Sequence, residues 1–203
     1  MSKEVRIDLF CEDRAHEQFL RYLVARVCRE LSGVPILAVL SARGGRGKAL
    51  SDFVKHQELL GKRVVQRPLA DLLVVGIDTN CARYTAVRSD VQNKINQASA
   101  PRFAVACADP HIERWYLADT VTFHKVVGFT PDLPREKCER DFYKKVLAGA
   151  VVQAGHPPTL GGIEFAQELV EHMDLNRASR NDASLKHFLD ELRARLRDAI
   201  AAP

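Results

Sequence analysis

The chain has 203 residues, 46% of them hydrophobic and 28% charged, with a formal net charge of +4. These values fit one folded domain with a sizeable core and exclude a disordered polymer, and so mild a charge does not by itself announce nucleic-acid binding. No apolar run approaches the roughly 18 residues of a membrane span, and Met1-Ser2-Lys3-Glu4-Val5-Arg6 lacks the apolar stretch of a signal peptide. No membrane association and a cytoplasmic setting are expected. The five cysteines, Cys11, Cys28, Cys81, Cys107 and Cys138, are odd in number and have no CxxC spacing. That pattern predicts neither a disulfide framework nor a thiolate zinc site.

Val5, Ile7, Leu9 and Cys11 alternate with polar or aromatic neighbours and predict a first strand. From Asp13 to Leu31 the period changes: Phe19, Leu20, Leu23, Val24, Val27 and Leu31 form one helical stripe, with Asp13 as a cap. Pro35 to Leu40 is a second short apolar run. A glycine-rich turn, Ser41 to Gly47, leads into a helix predicted from about Ala49 to Leu60. Leu72-Leu73-Val74-Val75-Gly76-Ile77 is apolar throughout, as a strand covered on both faces should be. A helix from about Tyr84 to Asn96 and a strand at Phe103–Cys107 follow. Strands alternating with helices imply βαβ units, hence an α/β fold with a mainly parallel, Rossmann-like sheet.

Beyond Pro110 the pattern is mostly helical. A short helix around Ile112–Leu117, one from Arg135 to Ala150, one from Ile163 to Met173 and a last one from about Asp182 to Ile200 are predicted, with a loop at 154–162. The chain reads as a single domain, with a core over about 1–119 and a helical extension over about 120–203.

In open parallel sheets, ligands gather beyond the carboxyl ends of the strands. The first strand ends in Cys11-Glu12-Asp13, the third in Asp78-Thr79-Asn80 and the fourth in Asp109-Pro110. Carboxylates gathered at one rim repel and need a cation or a proton. An oxygen-rich set of this kind suits Mg²⁺ or Mn²⁺, which binds phosphodiesters and activates water. The alternative for each acid is a helix cap. Glu17 is expected to pair with Arg21 at i,i+4 spacing. The seven histidines form no ligand motif.

Between residues 43 and 67 lie Arg43, Arg46, Lys48, Lys55, Lys62, Arg63 and Arg67, against only Asp52 and Glu58. Arg43, Arg46 and Lys48 surround three glycines, which suits a loop gripping nucleic-acid phosphates. A phosphate-binding P-loop would have Gly at position 42 and Ser or Thr at 49; both are Ala. A plain turn is the simpler alternative.

Glu12 after the first strand and an Asp-x-Asp-like end to a later strand resemble the Toprim arrangement. Cys11-Glu12-Asp13-x-x-x-Glu17-x-Phe19-Leu20 resembles the opening of Toprim-like proteins of the RloB and OLD-nuclease neighbourhood. Glu113-x-Trp115-x-Leu117 resembles their Glu-x-Trp-x-Leu segment, and the final helix fits a related uncharacterised family. The resemblance implies a metal-dependent nuclease acting on DNA or RNA, with an ATPase partner subunit in an anti-phage defence system. It makes Glu12 the acid/base or metal ligand and Asp78 the first metal-binding aspartate, with Asn80 and Glu113 completing the metal site. Two departures stand out: Asn80 replaces an aspartate, and Asp13 replaces the usual glycine. Asn80 supports the alternative, a catalytically inactive regulatory or nucleic-acid-binding subunit. A nucleotide-processing domain is a third reading, and the chain is compatible with a homo-oligomer.

Overall fold

The strand order follows from three crossover connections. β1 (Lys3–Cys11) is followed by α1 (Arg14–Glu30) and β2 (Gly33–Ser41). Then α2 (Gly45–Gly61) carries the chain back past β1 to β3 (Leu72–Asp78), and α3 (Tyr84–Asn93) leads to β4 (Phe103–Ala108). All pairings are parallel, and the sheet order is β2-β1-β3-β4. The direction of winding reverses between β1 and β3, so the crevice at their carboxyl ends is the expected ligand site of such a sheet. This structure is a computed structural model. It describes residues 3–42, 44–62, 68–98, 102–133, 138–139, 141–157 and 159–202.

Alternation along the strands sorts side chains to two cores. Val5, Ile7 and Leu9 of β1 and Leu72 and Val74 of β3 pack under α1. Phe10, Leu73, Val75 and Ile77 pack under Phe53 of α2 and Val87 and Val91 of α3. All seven residues of β3 are buried, as its unbroken apolar run requires. Gly76 faces α1. A Cβ there would meet Leu20 Cδ1 at 2.4 Å and the His16 side chain at 3.4 Å, so the absent side chain lets α1 lie close against β3.

The remaining helices extend the core on the α1 side. They are α4 (Glu113–Tyr116), α5 (Thr120–Val127), α6 (Phe142–Gln153), α7 (Ala166–His172), α8 (Leu175–Asn181) and α9 (Ala183–Ala201). Trp115 stacks on Phe188 of α9 at 5.6 Å and donates through Nε1 to Ser184 Oγ at 2.9 Å. The same hydroxyl accepts from Asp109 N at 3.2 Å, tying α9 to the end of β4. Farther along α9, Glu191 accepts Val105 N at 3.0 Å with one carboxylate oxygen and pairs with Arg88 at 2.8 Å through the other.

Several expectations change. α2 starts at Gly45 rather than Ala49, because left-handed Gly44 and Gly45 feed the chain directly into its first turn. α6 starts at Phe142 rather than Arg135. Asp141 is left-handed and Cys138–Glu139 are not helical, while 135–137 and 140 lie outside the described residues. The helix expected over Ile163–Met173 is split into a 3₁₀ turn, Ile163–Phe165, and α7. Cys81 and Cys138 are joined as a disulfide, with Cα atoms 5.5 Å apart, a normal separation for such a bond. Local cysteine spacing carries no trace of a pair 57 residues apart that only tertiary structure brings together. Among the described residues, no helix is long and apolar enough to cross a membrane.

Asp119 closes the gap between α4 and α5. Its buried carboxylate accepts from Arg177 Nε at 2.6 Å and Nη2 at 2.8 Å, from Thr122 Oγ1 at 2.7 Å and from Asp174 N at 2.9 Å. Burial opposes its charge, but Arg177 and the other donors outweigh that and hold its pKa well below the usual carboxylate value. Asp119→Ala should lower stability by about 1–3 kcal/mol in denaturant unfolding, because the Thr122 and Asp174 N–H groups lose their acceptor, while the partly exposed Arg177 can turn to water. A depressed folded pKa contributes stability above the ordinary Asp value of about 4, and that stability drains away as pH falls toward the folded value. The gap between wild type and variant should therefore narrow on acidification below about pH 4. Gly76→Ala should lower the melting temperature, at a cost of about 1–3 kcal/mol for forcing Leu20 aside.

Candidate metal centre

Glu12 and Asp78 reach the same rim because β1 and β3 are neighbours in register, with Cys11 opposite Gly76. Glu12 N donates to Gly76 O at 2.9 Å, extending the ladder by one residue. Its side chain then turns across the strand end, where Oε2 accepts Asp78 N at 2.9 Å. Asp78 Oδ1 accepts Ile112 N at 2.7 Å, which fixes the carboxylate from the far side. Both acids are buried, at 5% and 7% exposure.

The third member is His16. Asp13 caps α1 by accepting His16 N at 3.0 Å, and the same oxygen lies 2.8 Å from His16 Nδ1. The carboxyl of Asp13 has its pKa lowered to about 2: burial opposes ionisation, but the bonds from His16 prevail. An ionised carboxylate only accepts, so Nδ1 carries the donated proton. Nε2 then points toward Asp78, with Oδ1 at 3.1 Å. That contact lacks hydrogen-bond geometry, and Nε2 is buried without a hydrogen-bond partner. Ligand atoms of Glu12, His16 and Asp78 all lie within 4.8 Å of one another. Two carboxylates plus an imidazole whose other nitrogen is held by a carboxylate form a donor set that fits a divalent cation.

Among the protein's own groups, charge is balanced through His16. Complete burial disfavours the imidazolium, but Asp78 and Asp13 outweigh it and raise the pKa of His16 well above the ordinary value. Burial likewise raises Glu12, though the Asp78 N–H and His16 pull the other way. Glu113, at the start of α4, is pushed up to about 7, first by burial and then by the charge of Asp78. Glu113 thus feels Asp78 but stands outside the three-residue cluster.

Asn80 is exposed and left-handed at φ 47°, and its N–H donates to Pro110 O at 3.1 Å. Asp109 Oδ1 accepts Thr79 Oγ1 at 2.8 Å, so that acid is engaged beside the cluster. Glu17 lies 3.9 Å from Arg21, and its other oxygen accepts Ser41 Oγ at 2.7 Å. Arg46, expected in a basic loop, lies in the first turn of α2, where its Nη1 donates to Thr79 O at 2.7 Å and brings it to the rim one residue from Asp78. Lys48 pairs with Asp52 along α2. Arg43, Arg63 and Arg67 lie outside the described residues.

Sequence reasoning missed His16. The available signal was the Asp13-x-x-His16 spacing, which sets a capping carboxylate and an imidazole in the first turn of one helix. Comparison with known proteins adds no relative to this picture: no family model, no curated protein and no solved structure matches the chain.

Proposed function

We propose that this protein is a metal-dependent phosphodiesterase acting on nucleic acid, with Glu12, His16 and Asp78 as its metal ligands. The observation that carries the reading is the buried cluster itself: the Asp13–His16 bond directs Nε2 toward Asp78, 3.1 Å away, and ligand atoms of Glu12, His16 and Asp78 lie within 4.8 Å of one another. An imidazole in the set favours Mn²⁺ over Mg²⁺, which prefers oxygen ligands alone. When bound, such a cation supplies Lewis acidity toward a phosphate and lowers the pKa of water. The chain's own part is to hold and orient. Glu12 and Asp78 are fixed by backbone N–H groups from neighbouring elements, and His16 is fixed by Asp13. Glu113, which feels the charge of Asp78, and Asn80, two residues beyond Asp78 in the chain, are proposed as further ligands. Arg46 of α2, at the rim, is proposed to meet substrate phosphate, with Lys48 of the same helix and Arg43, which precedes it in the sequence, as further phosphate contacts. The Toprim assignment, the ATPase partner and the anti-phage role rest on the sequence resemblance alone. A cytoplasmic setting belongs to the same reading. There the Cys81–Cys138 pair would be kept reduced, so the reduced protein is the form to assay first.

A second reading is favoured by the same histidine. A proton on Nε2 would let His16 act as an internal cation between Asp13 and Asp78, and Asn80 brings no charge of its own. The protein would then be a catalytically inactive regulatory or nucleic-acid-binding subunit.

Titration with Mn²⁺ by calorimetry separates the two. The phosphodiesterase reading expects one site per chain, lost in Asp78→Ala, and Mn²⁺-dependent cleavage of DNA or RNA lost in both Asp78→Ala and Glu12→Gln. An absence of Mn²⁺ binding by the wild type would give the second reading first place. Asp13→Asn keeps the cap but weakens the hold on Nδ1. It should reduce Mn²⁺ affinity by about 10–100-fold, the usual cost of losing a carboxylate behind a ligating histidine.

A further inference from the structure

The Cys81–Cys138 bond meets the candidate metal centre at the turn between β3 and α3. Cys81 stands three residues beyond Asp78 and directly after Asn80. The turn is left-handed at both Asn80, φ 47°, and Cys81, φ 67°. Residues with a Cβ seldom adopt that conformation, and it persists where the surroundings hold it. Asparagine tolerates it through its short polar side chain, whereas cysteine has no such help. The disulfide supplies the hold. It fastens Cys81 to Cys138, ahead of α6, with the Cα atoms 5.5 Å apart. Glu139 O accepts Phe142 N at 3.1 Å, tying that segment to the first residue of α6, and Tyr143, Leu147 and Val151 of that helix are buried in the core.

The turn bears on the position of Asp78. Asn80 N donates to Pro110 O at 3.1 Å, and Ala82 N donates to Thr79 O at 3.0 Å. Two residues after Pro110, Ile112 N donates to Asp78 Oδ1 at 2.7 Å. The N–H group that fixes Asp78 thus sits on a segment bonded to the turn. Cys81 and Cys138 are both exposed, and exposed disulfides are the ones that exchange readily with thiols in solution. Cys11, Cys28 and Cys107 are buried. Burial pushes their thiols up, that of Cys107 to about 12, which withholds the reactive thiolate. Exchange is therefore confined to one pair, and that pair touches the rim.

We infer that Cys81 and Cys138 form a reversible redox switch on the metal centre, operated by exchange with a small thiol and its disulfide, such as glutathione. In the oxidising direction one cysteine thiolate attacks glutathione disulfide, forming a mixed disulfide and releasing one glutathione. The other cysteine thiolate then attacks the protein sulfur of that mixed disulfide and releases the second glutathione. The two protons lost by the cysteines go to the two departing thiolates, and glutathione disulfide gains the two electrons the protein gives up. Oxidation pins the turn and so preorganises Asp78. Reduction leaves the turn to its hydrogen bonds. The effect on metal rests on the reading of Glu12, His16 and Asp78 as ligands.

The test uses the full chain equilibrated in glutathione redox buffers, with free thiols counted by alkylation and mass spectrometry. Cys81 and Cys138 should titrate together and reversibly, while folded Cys11, Cys28 and Cys107 stay protected. Amide hydrogen exchange in peptides spanning the turn should run about tenfold faster in the reduced form. Cys81→Ser and Cys138→Ser should exchange like the reduced wild type and should not respond to dithiothreitol. Calorimetry, with the reductant removed under anaerobic conditions, should show Mn²⁺ bound about threefold or more tightly by the oxidised form. A bond that does not re-form on oxidation, equal exchange in the two states, or equal Mn²⁺ affinity in the two states of a wild type that binds the metal would overturn the inference. Absence of Mn²⁺ binding in both states, with the exchange difference intact, would remove the metal reading and leave the switch on the turn standing.

Discussion

The close approach of α1 to β3 at Gly76 is the constraint on which the site depends. A helix packed over a sheet normally stands off by the depth of two side-chain layers. Here one layer is missing at a single point, and Leu20 and His16 occupy the space. The same stretch of β3 accepts the Glu12 N–H at Gly76 O and ends two residues later in Asp78. One glycine thus governs how near the imidazole of α1 comes to the carboxylates of two strands. Residues from three elements converge because β1 and β3 are adjacent and α1 is allowed to lie against their seam.

Convergence brings an electrostatic problem. Glu12, Asp78 and Glu113 share a poorly hydrated rim, and the charge of Asp78 disfavours ionisation of Glu12 and of Glu113. The fold answers with oriented donors: backbone N–H groups meet Glu12 and Asp78, and His16 lies between Asp13 and Asp78. The balance is local and leaves Glu113 pushed up to about 7. A proton and a divalent cation are alternative ways to settle the same excess of negative charge. That is why one geometry supports both a catalytic and a silent reading.

The parts legible in the sequence are those written in contiguous residues. The unbroken apolar run of β3, the alternation in β1 and the stripe along α1 each specify an element and its buried face. Because acids at strand ends must emerge on one rim of a parallel sheet, Glu12 and Asp78 were also within reach. His16 was not, since its role depends on how deeply α1 sinks onto β3, a property of Gly76 and Leu20 together. α5 and α8, of eight and seven residues, are too short to show a helical period and are held by the caps Asp119 and Asp174. The Cys81–Cys138 pair and the Asp119–Arg177 bridge join residues more than 50 positions apart. No local pattern announces them.

The carboxylate of Glu191 on Val105 N has a consequence for assembly. A parallel sheet of four strands has two open margins, each a template for a strand from another chain. On the β4 margin, a side chain from α9 already occupies a backbone donor that an incoming strand would need. Arg88 holds that carboxylate in place. The β2 margin is interrupted differently: Pro35, the third residue of β2, has no N–H to offer, although Val34 and Ile36 on either side are exposed. Sheet-to-sheet polymerisation is thus resisted at one edge by an acid acting as a surrogate strand and at the other by an imino acid.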